Sequence, residues 1–593
     1  MDVRTIQITP SALAHGRLNI RACGRSFFPR TAFGNPSQKK GRGENLRVRV
    51  RGLTNLILTD IPTDNAGRPR WFFRERGWVR DFVRLHHLQP GSKVAIRRLS
   101  AIDYEVAPFD AAEIVTTPLL LIADLPEEAH GCNTDAPAPS TTNTGRRRGR
   151  NGDTNKLGVE DRPAHDWYRF VLSYPPHLVS DYIQRFELNG NHCVLDPFCG
   201  TGTTLVECQK RGIRAIGVEA HPLAYFASRT KVDWRPDADR LIEHARLVAG
   251  EALEELGAGG VEDHAPLFEQ PKVPHQLRTL NREAAALLLS DSISPLPLHK
   301  ALILLDVLEK HRDERYIAHE RLALAKALVC HISNLHFGPE VGVGPPKPDS
   351  AVVAPWLACV ESIAADLRQL PRRACVQAEV HHADARHIES VLAPQSIDAV
   401  ITSPPYPNEK DYTRTTRLES VLLGFVTTKA ELRLLKRSLI RSNTRGVYKG
   451  DDDDKWISRH PEIQRIATAI ESRRLELGKT SGFERMYHRV AKLYFGGMAR
   501  HLAELTKVLR PGARLAFVVG DQASYLRVMI RTGEILATIG RSLGYELVCI
   551  DLFRTRLATA TKEQLREEVV VFRWPGPRKK PPRRAPGKVQ AAR

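Results

Sequence analysis

Seven short apolar runs alternate with helical patterns beyond residue 160, and this alternation constrains the fold more than any other feature of the chain. Most of the runs are β-branched and apolar on both faces, which is typical of strands in a parallel sheet that helices cover on both sides. The sequence therefore predicts an α/β fold. In chain order the runs are HCVLDPF, AIGVEA, VQAEVHHAD, IDAVITSP, ARLAFVVGD, YELVCIDLF and EEVVVFRW.

The last two runs are expected to pair differently from the others. Only about 13 polar residues, rich in Arg and Thr, separate Phe553 from Glu567. Because a helical crossover between parallel strands needs more sequence than this, an antiparallel hairpin is predicted here. Helical spacing of Leu, Ala and Ile also fills two long insertions, about 235–372 and about 424–506, which are predicted to be packed helices without a cofactor site.

Composition favours a polyanionic partner. The chain has 593 residues, enough for two or three domains, and its net charge is +20 with a pI of about 9.7. Nucleic acid and an anionic membrane surface are the two partners that fit this charge. No apolar run approaches the length of a membrane-spanning helix and no signal-peptide core is visible, so a cytoplasmic protein without membrane association is expected.

Cysteine usage argues against a disulfide framework and against a metal site. The nine cysteines are odd in number and include no C-x-x-C pair, so neither disulfides nor a zinc ribbon are predicted. Cys199, inside a Gly-rich loop, is expected to be a small buried thiol. The acidic run Asp451–Lys455 is interpreted as a solvated turn, with a contact to a basic surface of the same chain as the alternative.

Composition also indicates the boundaries of domains and linkers. Residues 116–160 are rich in Pro, Ser, Thr, Asn and Gly and carry the cluster Arg146–Arg150, which predicts a flexible basic linker. A small, mostly-β N-terminal domain is expected at 1–115, and the α/β domain at 161–574. Residues 575–593 are basic and Pro-rich, which predicts a disordered tail.

The segment VLDPFCGTGTTLVECQKRG, Val194–Gly212, predicts a strand, a tight glycine turn and a helix. Gly200 and Gly202 allow a sharp bend and a close backbone approach to a ligand, and Thr203 stands where the helix begins. The segment lacks both the Gly-Lys-Ser/Thr of a phosphate-binding loop and the third glycine of a dinucleotide fingerprint. It is therefore expected to bind another kind of ligand.

Acidic residues stand at the ends of the first three predicted strands. Asp196 follows the first, Glu219 ends the second 23 residues later, and Asp384 ends the third. A carboxylate at the Glu219 position can accept hydrogen bonds from both ribose hydroxyls of an adenosine ligand, and one at Asp384 can face the adenine amino group. The three acids beside the glycine loop predict a nucleoside-containing cofactor.

The fourth strand stops in an unusual way, at VITSPPYPNEKDY, Val400–Tyr412. Two consecutive prolines offer no N–H groups and have a fixed φ, so Pro404 and Pro405 present carbonyls rigidly at the strand end. The Ser403 hydroxyl and the Pro404 carbonyl are suitable acceptors for an amino group. Tyr406 supplies a flat face against which a ring can stack.

These motifs resemble the S-adenosylmethionine-dependent methyltransferases that modify amino groups of DNA bases. DPFCGTGTT resembles their cofactor motif and TSPPY their catalytic motif, while HDWYRFVLSYPPHLV, His165–Val179, is similar to the segment before the cofactor loop. The resemblance covers about 161–234 and 373–574 and implies a Rossmann-like, seven-stranded methyltransferase sheet. It implies S-adenosyl-L-methionine bound by Asp196, Phe198, Gly200, Gly202, Thr203, Glu219 and Asp384, and catalysis by Ser403, Pro404, Pro405 and Tyr406.

The resemblance also implies a substrate. Ser at the first motif position points to the N4 amino group of cytosine in double-stranded DNA, flipped out of the helix. Adenine-N6 methylation, RNA guanine-N2 methylation and a catalytically inert DNA-binding regulator are the alternatives. Carbon-5 methylation is set aside because the chain has no Pro-Cys pair to supply the thiol. The restriction-modification likeness allows for a cognate restriction endonuclease as a partner.

The N-terminal segment WFFRERGWVRDFVRLHHLQPGSKVAIRRLSAIDYEV, Trp71–Val106, resembles the DNA-binding pseudobarrel of plant transcription factors and of some restriction enzymes. The match lies at Gly77-Trp78, Phe82, Leu88 and Gly91. Trp78 and Phe82 are expected to be core residues. This domain and the insertion at 235–372 are the competing candidates for reading DNA sequence. The arginines that could reach phosphates or base edges are Arg47, Arg49, Arg51, Arg74 and Arg76.

Overall fold

The computed structural model divides into two compact units, Met1–Thr142 and Asn143–Arg593. The residues that it describes are 2–9, 18–34, 43–51, 57–64, 68–75, 78–86, 88–89, 91–98, 102–108, 157–158, 160–169, 173–263, 276–337, 341–371, 378–408, 410–557 and 564–577. The predicted linker at 116–160 and the predicted tail at 575–593 lie largely outside these residues, so both stay predictions.

The N-terminal unit contains a five-stranded sheet in the order β1-β4-β5-β2-β3. β2 and β5 pair in parallel, and the other neighbours pair antiparallel. Alternate residues of β2 are buried, as expected for a strand with one solvated face. The elements are β1 (Asp2–Gln7), β2 (Leu46–Val50), β3 (Ile57–Thr59), α1 (Trp78–Leu85), β4 (Lys93–Arg98) and β5 (Asp103–Pro108).

Trp78 and Phe82 are buried in the core of this unit, as predicted. Three of the arginines considered as DNA contacts pair with acids of the same unit, and one of these pairs is Arg51 with Glu105 at 3.9 Å. Arg47 pairs with Asp103 at 2.8 Å, and Arg74 pairs with the buried Asp60 at 2.5 Å. Arg49 and Arg51 are exposed, whereas Arg76 and Gly77 lie outside the described residues. The likeness to a DNA-binding pseudobarrel stays a prediction.

The second unit is built on a seven-stranded sheet in the order β10-β7-β6-β11-β12-β14-β13, and the seven apolar runs form its strands. The first five strands of this order are parallel. β14 runs antiparallel to both β12 and β13, so the predicted hairpin is present. The strands are β6 (Cys193–Asp196), β7 (Arg214–Glu219), β10 (Glu379–His382), β11 (Ile397–Thr402), β12 (Leu509–Gly520), β13 (Glu546–Leu557) and β14 (Gln564–Arg573).

Helices cover both faces of this sheet. Val194 and Ile401 pack into one core, and their neighbours Leu195 and Val400 pack into the other, because successive side chains of a strand point to opposite faces. An α/β fold is therefore confirmed for this unit. Its helices are α2 (Arg162–His165), α3 (Pro176–Arg185), α4 (Thr203–Lys210), α5 (Pro222–Lys231), α6 (Ala238–Ala258), α7 (Arg282–Ala285), α8 (Pro295–Lys310), α9 (Ile317–Ala327), α10 (Val353–Gln369), α11 (Tyr412–Thr415), α12 (Arg417–Leu422), α13 (Lys429–Ser438), α14 (Pro461–Glu476), α15 (Tyr487–Val508) and α16 (Thr532–Ser542).

The two predicted insertions differ in how they relate to the sheet. The first contributes α6, α8, α9 and α10 to one core, together with a small hairpin of β8 (Leu335–Phe337) and β9 (Val341–Val343). Most of α15 falls inside the second predicted insertion, but it packs against the sheet as the helix that precedes β12. The material inserted after β11 therefore ends before Tyr487. Within the described residues, no helix is long and apolar enough to cross a bilayer.

Candidate active site

A cavity of about 310 Å³ opens at the carboxyl ends of β6, β7, β10 and β11. This edge is where ligands bind in open α/β sheets, and the volume suits a small molecule. We call it the carboxyl-edge cavity. Asp196 and Gly202, two of the predicted site residues, do not line it. The others do, namely Phe198, Gly200, Thr203, Glu219, Asp384, Ser403, Pro404, Pro405 and Tyr406.

The loop between β6 and α4 presents backbone to the cavity. Gly200 has a φ of +52°, and a Cβ atom there would meet nothing within 4 Å, so its missing side chain leaves open space. Gly202 has a φ of +85°, but its Cβ would lie 3.1 Å from the Cβ of Ser228 on α5. The close approach at Gly202 is therefore to a helix, and Gly200 is the glycine beside the ligand space.

Asp196 lies beneath this loop, fully buried. Its carboxylate accepts hydrogen bonds from the Thr402 hydroxyl at 2.6 Å, the Tyr174 hydroxyl at 3.1 Å and the Phe198 N–H at 3.2 Å. Burial raises the pKa of Asp196, and these hydrogen bonds oppose that rise. Through these three protein partners Asp196 positions the loop relative to β11, and its predicted cofactor contact stays a prediction.

Glu219 ends β7 and faces the cavity. One carboxylate oxygen accepts the Gly200 N–H at 2.9 Å, and the other accepts the His221 N–H at 2.7 Å. Burial raises the pKa of Glu219 to about 7, although these hydrogen bonds favour the charged form. Each carboxylate oxygen retains a further lone pair, so Glu219 can still accept hydrogen bonds from a diol.

Asp384 lines the cavity, but a neighbour holds its carboxylate. Arg386 donates to Asp384 from Nε at 3.0 Å and from Nη2 at 2.6 Å. The Nη1 of Arg386 donates to the buried Asp453 at 2.5 Å. The acidic run Asp451–Lys455 is thus only in part the solvated turn that was expected. Asp451 and Asp453 bind arginines of the same chain, which was the alternative, whereas Asp452 and Lys455 are exposed. An adenine contact from Asp384 would have to share the carboxylate with Arg386.

The Ser-Pro-Pro-Tyr segment crosses the cavity floor at the end of β11. The Ser403 hydroxyl donates to the carbonyl of Val518 on β12 at 3.2 Å and also contacts the Tyr406 phenol. Because a hydroxyl oxygen has two lone pairs, it can still accept a further hydrogen bond. The ring of Tyr406 packs on Gly520, where a Cβ atom would lie 3.1 Å from Cε2 of the ring. Burial and the nearby Glu567 carboxylate raise the pKa of Tyr406, so its phenol stays neutral.

Several lining residues were not predicted. Tyr174 sits in the His165–Val179 segment, where the family likeness was noted but no residue was assigned. Tyr412 follows the catalytic motif and lies near Glu219, whose charge, after burial, helps to raise its pKa to about 12. No sequence signal marked a third group, which forms one wall of the cavity: Lys436, Ser438, Leu439, Ile440, Arg441, Ser442, Asn443 and Gly446.

The wall is held in place by ion pairs and hydrogen bonds. Lys436 pairs with the buried Asp411 at 2.9 Å, and Arg441 pairs with Asp451 at 2.7 Å. The side chain of Asn443 donates to the carbonyl of Lys410 at 3.2 Å. The contacts of Lys436 and Asn443 join α13 and the segment after it to the segment after Tyr406, and the Arg441 pair ties the wall to Asp451.

Comparison with known proteins finds similarity to DNA methylases. The DNA methylase family model (N6_N4_Mtase) matches residues 143–227, which include the glycine loop and Glu219. The type II methyltransferase M.BsoBI of Geobacillus stearothermophilus is 24% identical over 468 residues, covering 70% of this chain and 86% of that protein. The type II methyltransferase M.AvaI of a Nostoc strain is 24% identical over 460 residues, covering 70% of this chain and 87% of that protein.

A solved structure of a putative DNA modification methylase from Thermus thermophilus, complexed with S-adenosyl-L-methionine, is 17% identical to this chain. The alignment covers 34% of this chain and 57% of that one, at a TM-score of 0.17. An overlap at this TM-score is too slight to bear on the arrangement of the strands.

Proposed function

We propose, on the premise that the chain is an S-adenosylmethionine-dependent DNA methyltransferase, that it methylates the N4 amino group of cytosine at specific sites in double-stranded DNA. One observation carries the proposal. Ser403 and Tyr406, at the end of β11, face the same cavity as Gly200 and Glu219. A base held by the first pair would therefore lie beside a cofactor held by the second.

The residues of the carboxyl-edge cavity fit the cofactor. Gly200 offers backbone and open space, Glu219 offers acceptors for ribose hydroxyls, and Phe198 offers an apolar face. Phe198 is itself positioned by the ring of His501, whose centroid lies 4.7 Å away. When bound, S-adenosylmethionine supplies an electrophilic methyl group on a sulfonium. Asp384 is proposed as a weaker contact, because Arg386 already binds it.

The chain's own contribution would be to position the amino group and to accept its hydrogens. The Ser403 hydroxyl points its hydrogen at Val518, so its oxygen can only accept from a base amino group while that contact lasts. The Pro404 carbonyl is the second acceptor. As positive charge builds on the nitrogen, two fixed acceptors stabilise it without reorganisation. The neutral ring of Tyr406 supplies the surface on which a flipped base stacks.

The choice of cytosine rests on Ser403, because Asp or Asn at this position would point to adenine. The direct test is to incubate the protein with isotope-labelled cofactor and duplex DNA, digest the DNA to nucleosides, and identify the product by mass spectrometry. N4-methylcytosine is the expected product, and the Ser403→Ala variant is the background control. N6-methyladenine would overturn the base assignment and leave the enzyme class intact.

Two other outcomes would overturn the substrate class or the activity. Methylated guanine in RNA, with inert DNA, would indicate an RNA enzyme. Salt-sensitive DNA binding with no turnover would indicate a regulator. We further propose that the N-terminal domain at 1–115 contributes DNA contacts, which fits the exposed Arg49. A cognate restriction endonuclease stays a prediction.

A further inference from the structure

We propose that helix α13 and the loop after it, residues 429–449, bind backbone phosphates of the DNA strand that enters the carboxyl-edge cavity. This inference rests on the proposed function, and it assigns a role to a segment that the sequence indicated only as packed helix. The partner follows from charge: residues 429–449 contain seven Lys or Arg and a single acid, Glu431.

Two of the seven cations form ion pairs within the chain, and the guanidinium of a third, Arg437, lies 5.2 Å from the centroid of the Tyr448 ring. Lys436 and Arg441 pair with Asp411 and Asp451 and face the cavity. The remaining five are exposed, and none of them forms an ion pair with a carboxylate in the described part of the chain. Three of the five lie at four-residue spacing on α13, so they share one face of the helix. We call these three, Lys429, Arg433 and Arg437, the basic stripe; Arg445 and Lys449 complete the set.

An unpaired stripe of this kind is unfavourable in a free protein, because like charges four residues apart on a helix repel each other. The contrast with α14 is direct. There Arg465, Arg473 and Arg474 each pair with a glutamate three residues away. The basic stripe has no such partners within the described residues, although α13 itself is secured by a capping box in which Thr428 and Glu431 bond reciprocally. The missing anions would be supplied by a ligand.

The position of the stripe selects that ligand. α13 leads directly into the cavity wall at Ser438–Asn443, so the Arg437 end of the stripe lies where a strand with a flipped nucleotide would pass. From Lys429 to Arg437 the helix rises about 12 Å. About three to four nucleotides of one DNA strand span the same distance along the duplex axis. Beyond the cavity wall, the guanidinium of Arg445 lies over the ring of Phe483, and that residue is 52% exposed.

The test compares two variants that remove the same charge. Arg433→Gln with Arg437→Gln removes two members of the stripe, and Arg465→Gln with Arg473→Gln removes two exposed but paired arginines of α14. Affinity for a fluorescent DNA duplex is measured against salt concentration. The stripe variant is expected to bind about 10- to 30-fold more weakly near 0.15 M salt, with the slope of log K against log salt reduced by about 1.8. The α14 variant should match the wild type.

Readouts other than affinity separate this inference from the proposed function. The stripe variant should keep its cofactor affinity, its methylated site and its rate at saturating DNA. If both variants bind DNA alike, the phosphate role is wrong, whatever the wild type methylates. If stripe-dependent binding is found instead to duplex RNA, or to phosphatidylserine vesicles, the partner is wrong. A wild type that methylates no DNA overturns the proposed function, and stripe-dependent DNA binding would survive that result. If the stripe variant unfolds at a lower temperature than the wild type, the same measurements are made on a second variant, Arg445→Gln with Lys449→Gln.

Discussion

The hydroxyl of Thr402 donates a 2.6 Å hydrogen bond to the carboxylate of Asp196, inside the protein and away from the cavity. Thr402 immediately precedes the Ser-Pro-Pro-Tyr segment, and Asp196 immediately precedes the glycine loop. The two segments that line the cavity are therefore joined by this buried contact between adjacent parallel strands, β11 and β6. A shift of either strand end would move both the residues proposed to contact the base and those proposed to contact the cofactor.

We expect Thr402→Val to lower the free energy of unfolding by about 1–3 kcal/mol, because it leaves the buried Asp196 carboxylate with one donor fewer. The rate of methyl transfer should fall together with cofactor affinity, since both strand ends shift. Thr402→Ser keeps the hydroxyl and serves as the control. Denaturant unfolding, cofactor calorimetry and turnover measure the three quantities. Equal behaviour of the Val and Ser variants would contradict the linking role.

A second prediction concerns the packing of the Tyr406 ring on Gly520. Gly520→Ala would place a Cβ atom 3.1 Å from the Tyr406 ring and 3.3 Å from the Cγ of Glu567, so the ring must move by a few tenths of an ångström. We expect the turnover number to fall about 10-fold, because the stacked base moves with the ring. Gly250→Ala, in α6 with open space around it, is the control and should stabilise by about 0.5–1 kcal/mol. Unchanged turnover in Gly520→Ala would show that Tyr406 does not position the base.

Mutations in the Ser403 segment and in the glycine loop should have different effects on cofactor affinity and on turnover. We expect Ser403→Ala to keep cofactor affinity within about twofold of wild type while turnover falls about 100-fold, because one acceptor for the amino hydrogens is lost. Gly202→Val should abolish cofactor binding, since the side chain would collide with Ser228 and distort the loop. Calorimetry with the cofactor and single-turnover assays distinguish the two. Loss of cofactor binding in Ser403→Ala would make the Ser403 segment structural.

Cofactor affinity should depend on pH through Glu219. Burial raises the pKa of this carboxyl to about 7 in the free protein, so near pH 6 most molecules carry it protonated. Ribose hydroxyls and a cationic sulfonium both favour the ionised form, so binding must release a proton below pH 7. Affinity is therefore expected to rise as the pH increases towards about 7 and to level off above it. Calorimetry in buffers of different ionisation enthalpy counts the proton, and Glu219→Gln should bind weakly without this dependence. A flat profile in wild type would contradict the role of Glu219.

Local sequence was informative wherever the structure is local. The seven runs form strands because β-branched, apolar residues were interrupted by turn residues, and Gly200, Glu219 and Ser403 stand at strand ends that the sequence makes visible. The sequence did not predict contacts between residues that are far apart in the chain. Asp196 is held by Thr402, 206 positions away, and Arg386 binds Asp453, 67 positions away. Only the fold brings the segment after α13 to the cavity, since nothing in its composition distinguishes a cavity wall from a solvated helix.

The last prediction concerns which part of the chain reads DNA sequence. Between the glycine loop and Thr402 lies the first insertion, whose helices α6, α8, α9 and α10 bury their apolar faces in the core of the sheet unit. Such helices suit a scaffold better than a base-reading surface. The N-terminal unit is compact in itself and carries the exposed Arg49. We therefore expect deletion of residues 1–160 to leave a folded, cofactor-binding protein.

The truncated protein should methylate DNA more weakly and less selectively, because the tethered domain raises the local DNA concentration and adds base contacts. Its residual DNA binding should still depend steeply on salt if the basic stripe binds phosphates, and the Arg433→Gln, Arg437→Gln pair introduced into the truncated protein should flatten that dependence. Sequencing of the methylated positions in a DNA library reports selectivity, and anisotropy titrations report affinity. Unchanged selectivity and affinity after truncation would place the reader in an insertion and show that the N-terminal domain has another role.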